Sequence, residues 1–402
     1  MEAQTTQQNL LPRINGMTRD FKVMSTYGEI PLSQFTQAGK RNSSPTRLAR
    51  AAILGLAIFV CMASAVRAAD LWDDNDYIIS AIITSGNALV VLDENFNVKG
   101  LTRNCQTLCG STFGNVDWLT NGDVILADSL LSFDSLKVFR FNRQGEQLTY
   151  ATGDIFPYGI NDIKVSFNDD VIVGAFGRVK RYTWDFTPGT FYSGLSGFEE
   201  FDSTFLTGGV AVVPRADGTH ELWVAADADF EGIRIFPMTA SGQVQFDQGI
   251  AANPAVPAAS ASMTYDPATR RVLFYNSVDP VSSRLSNGKI LAMDVETRAV
   301  VRTYAIPADQ LPVGGVAFTG ITPGPNGIIV AVESYAHFIV PLSPRRIGLS
   351  VWDADGSNYR FIRNFSITSG KQIVIHPRTA HYHRAKEERG NSGRLYREEP
   401  GQ

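Results

Sequence analysis

Asp227 and Asp229 stand two residues apart in AADADFEG, directly after the apolar run Leu222-Trp223-Val224-Ala225. Asp128, Asn276, Asp279 and Glu333 hold comparable places, each closing or closely following an apolar run of similar length. Carboxylate and amide oxygens converging from several such places would suit a hard cation such as Ca²⁺ or Mg²⁺, Ca²⁺ taking roughly six to eight oxygen ligands. Asp and Asn also end strands for a plainer reason, because they make turns with their own backbone. Asp227, Asp229, Asp279 and Glu333 are therefore candidate metal ligands, and Asp128 and Asn276 candidate contacts to a polar ligand. If no cation binds, exchanging Asp227 or Glu333 for Ala is expected to leave stability almost unchanged.

Four more polar residues sit in short, otherwise apolar segments. Asn115 and Asp117 lie in Asn115-Val116-Asp117-Trp118, and Asn161 and Asp162 lie in Ile160-Asn161-Asp162-Ile163. They are candidates to line a channel, or they pair with exposed backbone groups at a narrow centre. His337, in SYAHFIVPLSP, is the one catalytic candidate: an imidazole titrates near neutrality and can act as a general base beside a metal. His220 precedes an apolar run, and His376, His381 and His383 fall in the C-terminal stretch HPRTAHYH. No G-x-S-x-G, P-loop, H-E-x-x-H or haem-attachment pattern occurs in the chain.

What positions these residues is a repeat. Leu89-Val90-Val91-Leu92 recurs as Leu136-Lys137-Val138-Phe139, Val179-Lys180-Arg181-Tyr182 and Ile233-Arg234-Ile235-Phe236. Ile290-Leu291-Ala292-Met293 and Leu349-Ser350-Val351-Trp352 complete six copies, starting 47, 43, 54, 57 and 59 residues apart. That is the period of a strand-based repeat. A second apolar run precedes each copy, as in Val124-Ile125-Leu126-Ala127 and Val171-Ile172-Val173-Gly174. Its near-continuous apolar character predicts strands buried on both faces. Each copy is followed by a tight turn (Arg143-Gln144-Gly145, Ala240-Ser241-Gly242, Ala354-Asp355-Gly356) and a more polar outer strand. Short inner segments come first: 115–118, 160–163, 209–212, 262–265 and 315–318.

Four strands per unit, repeated six times, predict an all-β fold: a six-bladed β-propeller with four-stranded blades. Only five inner segments precede their partners. The sixth is supplied by Lys371-Gln372-Ile373-Val374-Ile375, so the C-terminal strand is expected to complete blade one and close the ring. Connections between third and fourth strands read as short in nearly every blade. Those between second and third strands vary widely, from Gly177 alone to 334–348, and share one face with the blade-to-blade crossings around the channel mouth. That face is where function is expected.

The stretch NGDVILADSLLSFDSLKVFRFNRQGE, residues 121–146, resembles an NHL-type repeat: a G-[NDE]-hydrophobic strand, an Ala-Asp dipeptide, then a V-x-V-F strand and a Gly turn. HELWVAADADFEGIRIFP, residues 220–237, is similar. The likeness implies the broad NHL or gluconolactonase/regucalcin-like (SMP-30-like) superfamily, whose propellers include hydrolases, lyases and binding scaffolds. A lactonase of that kind would carry an E-G-P start on its first inner strand and an Asp-Gly on a later one. Here Gly208-Gly209-Val210 and Gly314-Gly315-Val316 stand instead, which speaks against lactonase chemistry.

The remaining chain bounds location and partners. Residues 51–66, AAILGLAIFVCMASAV, follow Arg47 and Arg50 and precede small residues, the order of a secretory signal. The expected organisation is a disordered segment over 1–46, a signal peptide or signal anchor over 47–69, the propeller over 70–377 and a charged, disordered tail over 378–402. The product is secreted or periplasmic, or held at the cytoplasmic membrane by an uncleaved anchor. Cys105 and Cys109, in NCQTLCG, would form a small disulfide loop in such a compartment, or stay as free thiols. Residues 70–377 carry 22 basic and 33 acidic side chains, an acidic body that argues against nucleic acid. The expected protein is a monomeric module binding a protein, peptide or small molecule at the channel mouth. The alternative is a Ca²⁺- or Mg²⁺-assisted hydrolase or lyase at the channel.

Overall fold

The computed structural model describes residues 70–375 except 74, 84–85, 103–114, 129–134, 157–159, 185–194, 204–205, 227–231, 278–284, 314, 334–345, 347 and 364–368. Its strands fall into six antiparallel four-stranded sheets, each built from the inside outward. Blade one is β1 (Tyr77–Ile83), β2 (Gly86–Leu92) and β3 (Val98–Leu101), with the last strand of the chain, β24 (Ser369–Ile375), as its inner member. Blade two is β4 (Asn115–Trp118), β5 (Val124–Asp128), β6 (Ser135–Phe141) and β7 (Gln147–Ile155). Blade three is β8 (Ile160–Val165), β9 (Val171–Ala175), β10 (Arg178–Trp184) and β11 (Leu195–Asp202).

Blade four is β12 (Leu206–Pro214), β13 (His220–Ala226), β14 (Ile233–Met238) and the two-residue β15 (Ile250–Ala251). Blade five is β16 (Thr264–Asp266), β17 (Arg271–Ser277), β18 (Leu285–Asp294) and β19 (Val300–Ala305). Blade six is β20 (Val316–Pro323), β21 (Ile329–Glu333), β22 (Gly348–Trp352) and β23 (Arg360–Ile362).

The second strands show why the sequence closes into a ring. Val171 and Val173 pack into the core between blades two and three, while Ile172, pointing the other way, packs into the core between blades three and four. A run that is apolar at every position thus feeds two seams, because alternate strand residues face opposite ways. Six apolar clusters fill the six seams. The seam between blades six and one joins Val330, Val332 and Val351 to Tyr77, Ile79 and Val90. Each large apolar side chain buried there is worth about 1.5–3 kcal/mol relative to exposure.

Closure is as expected from the chain order. β24 pairs antiparallel with β1 from Tyr77↔Ile375 to Ile82↔Ser369, and it packs against β20 on one side and β4 on the other. The three turn glycines also behave as their sequence suggests: Gly145, Gly242 and Gly356 adopt φ of +76°, +84° and +84°, values that L side chains rarely take.

Four details differ from the sequence expectation. The inner strand of blade five starts at Thr264 rather than Ser262, because the main chain before it is spent across blades: Met263 N–H bonds Asp162, and Ser260 Oγ turns back to the Ser262 carbonyl. β20 runs on to Pro323, and its first residues pair with β18 of the preceding blade, Val316 opposite Ser286. The third-to-fourth connections of blades three and four, 185–194 and 239–249, are long. His220 opens β13 and stacks on Phe167, ring centroids 4.0 Å apart.

Candidate functional site

The inner strands β24, β4, β8, β12, β16 and β20 succeed one another around the centre, each in contact with the next. Asp117 on β4 and Asp162 on β8 hold equivalent positions in successive repeats, and each reaches across a seam to backbone. Asp117 Oδ2 accepts the N–H of Val165 at 2.7 Å. Asp162 Oδ2 accepts from Val210 at 3.1 Å and from Met263 at 2.9 Å, while its Oδ1 accepts from Lys164 Nζ at 2.7 Å and from its neighbour Ile163 N–H. One carboxylate therefore ties blade three to blades four and five.

Asn161 extends this belt. Its Nδ2 donates to the Thr207 carbonyl at 2.9 Å, Thr207 Oγ1 donates to the Ser260 carbonyl, and Ser260 N–H returns to Thr207 Oγ1. The close approach explains the Gly208-Gly209 pair. A Cβ at Gly208 would lie 2.8 Å from that of Asn161, and one at Gly209 would lie 2.7 Å from the Ser260 oxygen. Those glycines stand where backbones nearly touch.

Burial sets the electrostatics of the belt. Asp162 is fully buried, and burial pushes its carboxyl above the ordinary carboxylate range, with Lys164 pulling the other way. Asp117 is half-buried; desolvation pushes it up to about 6, against a smaller opposing pull from Lys164. Lys164 Nζ is spent on Asp162 and the Ile163 carbonyl, so two carboxylates share one ammonium.

Asn115, two residues before Asp117, is a channel candidate from the sequence whose setting only the structure shows. It is fully buried, and among the described residues neither its Oδ1 nor its Nδ2 has a hydrogen-bond partner. Its only sequence signal is a polar residue opening an apolar strand.

Glu333 ends β21 in a different setting. Arg346 grips it with two bonds, Nε to Oε2 at 2.8 Å and Nη2 to Oε1 at 2.6 Å, and Ser350 Oγ donates to Oε1. Tyr359 OH accepts from Arg346 at 2.7 Å, and the guanidinium lies 4.2 Å over the Phe361 ring. A fully neutralised carboxylate of this kind is engaged as a buried ion pair. Asn276 is half-buried on β17, and Asp128 closes β5. Asp227, Asp229, Asp279, His337, Cys105 and Cys109 lie outside the described residues, as do 1–69 and 376–402. Among the described residues no three His, Cys, Asp or Glu side chains gather within reach of one metal ion, and no helix is long and apolar enough to cross a membrane.

The two ends of the disc differ. The first-to-second connections 119–123, 166–170 and 215–219 are near copies: the first N–H bonds the fifth carbonyl at 2.9, 2.9 and 2.8 Å. The fourth residue of each, Gly122, Asp169 or Gly218, has positive φ. At the opposite end the second-to-third connections range from Phe176-Gly177 to 334–347, and the crossings from 203–205 to 102–114. Val313, in the crossing before β20, is 89% exposed at this end.

No family model matches this chain, and no curated protein matches it. Among solved structures it is similar to a protein of unknown function from Bacteroides caccae, with TM-score 0.46 and 10% identity over 75% of this chain and 99% of that one. It is also similar to a proposed 6-phosphogluconolactonase from Bacteroides uniformis (TM-score 0.45, 13% identity, 72% and 82% covered). The β-propeller domain of Cps50 (Swd1) from Myceliophteria thermophila gives TM-score 0.42 and 11% identity over 77% and 93%. The NHL-type likeness is a likeness of repeat pattern, and the fold rests on the strand pairing itself.

Proposed function

We propose that this chain is a secreted or periplasmic propeller that binds a ligand or protein partner across its channel-mouth face. The observation that carries this reading is the contrast between the two ends of the disc. The first-to-second hairpins of blades two, three and four repeat one tight turn, while the second-to-third connections at the other end run from 176–177 to 334–347 and that end holds the exposed Val313. Variable connections on a rigid scaffold are where recognition resides. The NHL-type pattern of the repeat fits a binding scaffold equally well.

The metal-assisted hydrolase or lyase has less support. Glu333, one of its ligands, is committed to Arg346, and Asp162 is committed to backbone. A photo-crosslinking residue placed at Val313 tests the module against a control at Asp217, an exposed position in a hairpin at the other end. Adducts from Val313 and none from Asp217 are expected, and the reverse pattern would overturn the reading. Sequencing the amino terminus of the mature protein tests the secretory signal, with a start near Val66 or Asp70 expected.

A further inference from the structure

Asn115 and Asp117 occupy alternate positions of β4 and share one of its faces. Val116 and Trp118, on the other face, pack into the core between blades one and two. Asn115 and Asp117 are thereby turned toward blade three, where Asp117 meets Val165. Leaving a buried amide unpaired costs about 1–3 kcal/mol per group, and among the described residues Asn115 leaves both its polar atoms so. A native fold that keeps such a cost invites an explanation. Solvent reaches this face, because Asp117, one step further along the strand, is only half-buried.

Charge and donor chemistry narrow what would fit. Of the elements packed against β4, β8 carries Asp162 and Lys164, β24 carries Lys371, β5 ends in Asp128, and β1 carries no charged residue. Lys164 is held by Asp162, so an incoming anion meets two carboxylates sharing that cation. A bare metal ion would satisfy Asn115 Oδ1 but leave Nδ2 orphaned. A ligand bearing a cation beside an acceptor would answer all three groups.

We propose that Asn115 and Asp117 form a subsite for a protonated amine next to a carbonyl, as in an amino-acid amide or the amino terminus of a peptide. The ammonium would pair with Asp117 and the adjoining carbonyl and amide with Asn115. This rests on the mouth-face reading, because Asn115 opens β4 at that end.

The test titrates glycinamide, triglycine, N-acetylglycinamide and Ca²⁺ into the full chain, followed by calorimetry, at about pH 7.5 and about pH 5. Saturable binding of glycinamide or triglycine is expected at the higher pH. Triglycine binding more tightly marks a peptide terminus, and equal binding marks a free amino-acid derivative. N-acetylglycinamide, lacking the cation, should bind about tenfold more weakly. Glycinamide itself should weaken about tenfold at the lower pH, where a group titrating near 6 is about one-tenth ionised. Asp117→Asn and Asn115→Leu should each weaken binding about fivefold or more. Equal binding of the acetylated probe, pH-independent binding, no saturable binding, or binding of Ca²⁺ alone would each overturn the subsite. The pH arm needs no variant, so misfolding of either substitution leaves the test intact. A partner crosslinked from Val313 but indifferent to both substitutions would leave the mouth-face module standing and remove only the subsite.

Discussion

Asp162 on β8 accepts the main-chain N–H of Met263 at 2.9 Å, although 101 residues separate them. The same oxygen holds Val210, so one side chain fixes the angular spacing of three successive blades. The seam cores are apolar and non-directional; this carboxylate, together with Asp117 and Asn161, adds direction.

Asp162→Ala is expected to destabilise the chain by about 3–5 kcal/mol, the range for breaking a buried ion pair from one side. It strands Lys164 and leaves the Val210 and Met263 N–H groups unpaired. Asp162→Asn, which keeps an acceptor for the backbone, should lose less. Urea unfolding measures both, and a loss under about 1 kcal/mol for Ala would show that the belt is not structural.

Asp117 makes stability depend on pH in the less usual direction. Its folded carboxyl titrates near 6 against an ordinary 3.8, so between those values the folded chain holds a proton that the unfolded chain has released. Stability therefore falls as pH rises through this window, and the penalty is fully present above it. Asp117→Asn removes it: the variant should gain on the wild type by up to about 3 kcal/mol between about pH 4 and about pH 7. Parallel denaturation curves across that range check this, and a constant difference would refute it.

Glu333→Ala should cost about 3–5 kcal/mol, because it leaves the Arg346 guanidinium without its carboxylate. This differs from the sequence expectation that, with no cation bound, the exchange would leave stability almost unchanged. Arg346→Met paired with Glu333→Gln should recover much of the loss. Thermal melts with and without Ca²⁺ belong to the same experiment: a cation-dependent rise in Tm that vanishes with Glu333→Ala would restore the metal role.

Ending the chain before β24 should abolish cooperative folding, since β1 loses its inner neighbour and the six–one seam its closing strand. Ending it after Ile375 should leave the melting transition nearly unchanged. Size-exclusion chromatography and circular dichroism distinguish the two, and a folded monomer from the shorter chain would contradict strand closure.

Much of the architecture was legible in the sequence. Val171-Ile172-Val173 had to feed two cores, because an unbroken apolar strand has two faces to bury. The late strand around Ile373 had to complete blade one, because only five inner segments came before their partners. The site was less legible. Asp117 and Asp162 were visible as polar residues in apolar segments, but Glu333 looked like an available ligand until Arg346, 13 residues on, was found to hold it. Asn115 was visible beside Asp117 as a channel candidate, but nothing in the sequence showed that its amide would be buried unpaired among the described residues.

The sequence by itself determined the repeat, the number of blades and the order in which the ring closes, since hydrophobic periodicity and turn chemistry act over a few residues. Only the tertiary structure decided which carboxylates are spent and which polar group is left without a partner. Those facts depend on groups such as Asp162 and Met263, which chain distance keeps apart and the closed ring brings within hydrogen-bonding reach.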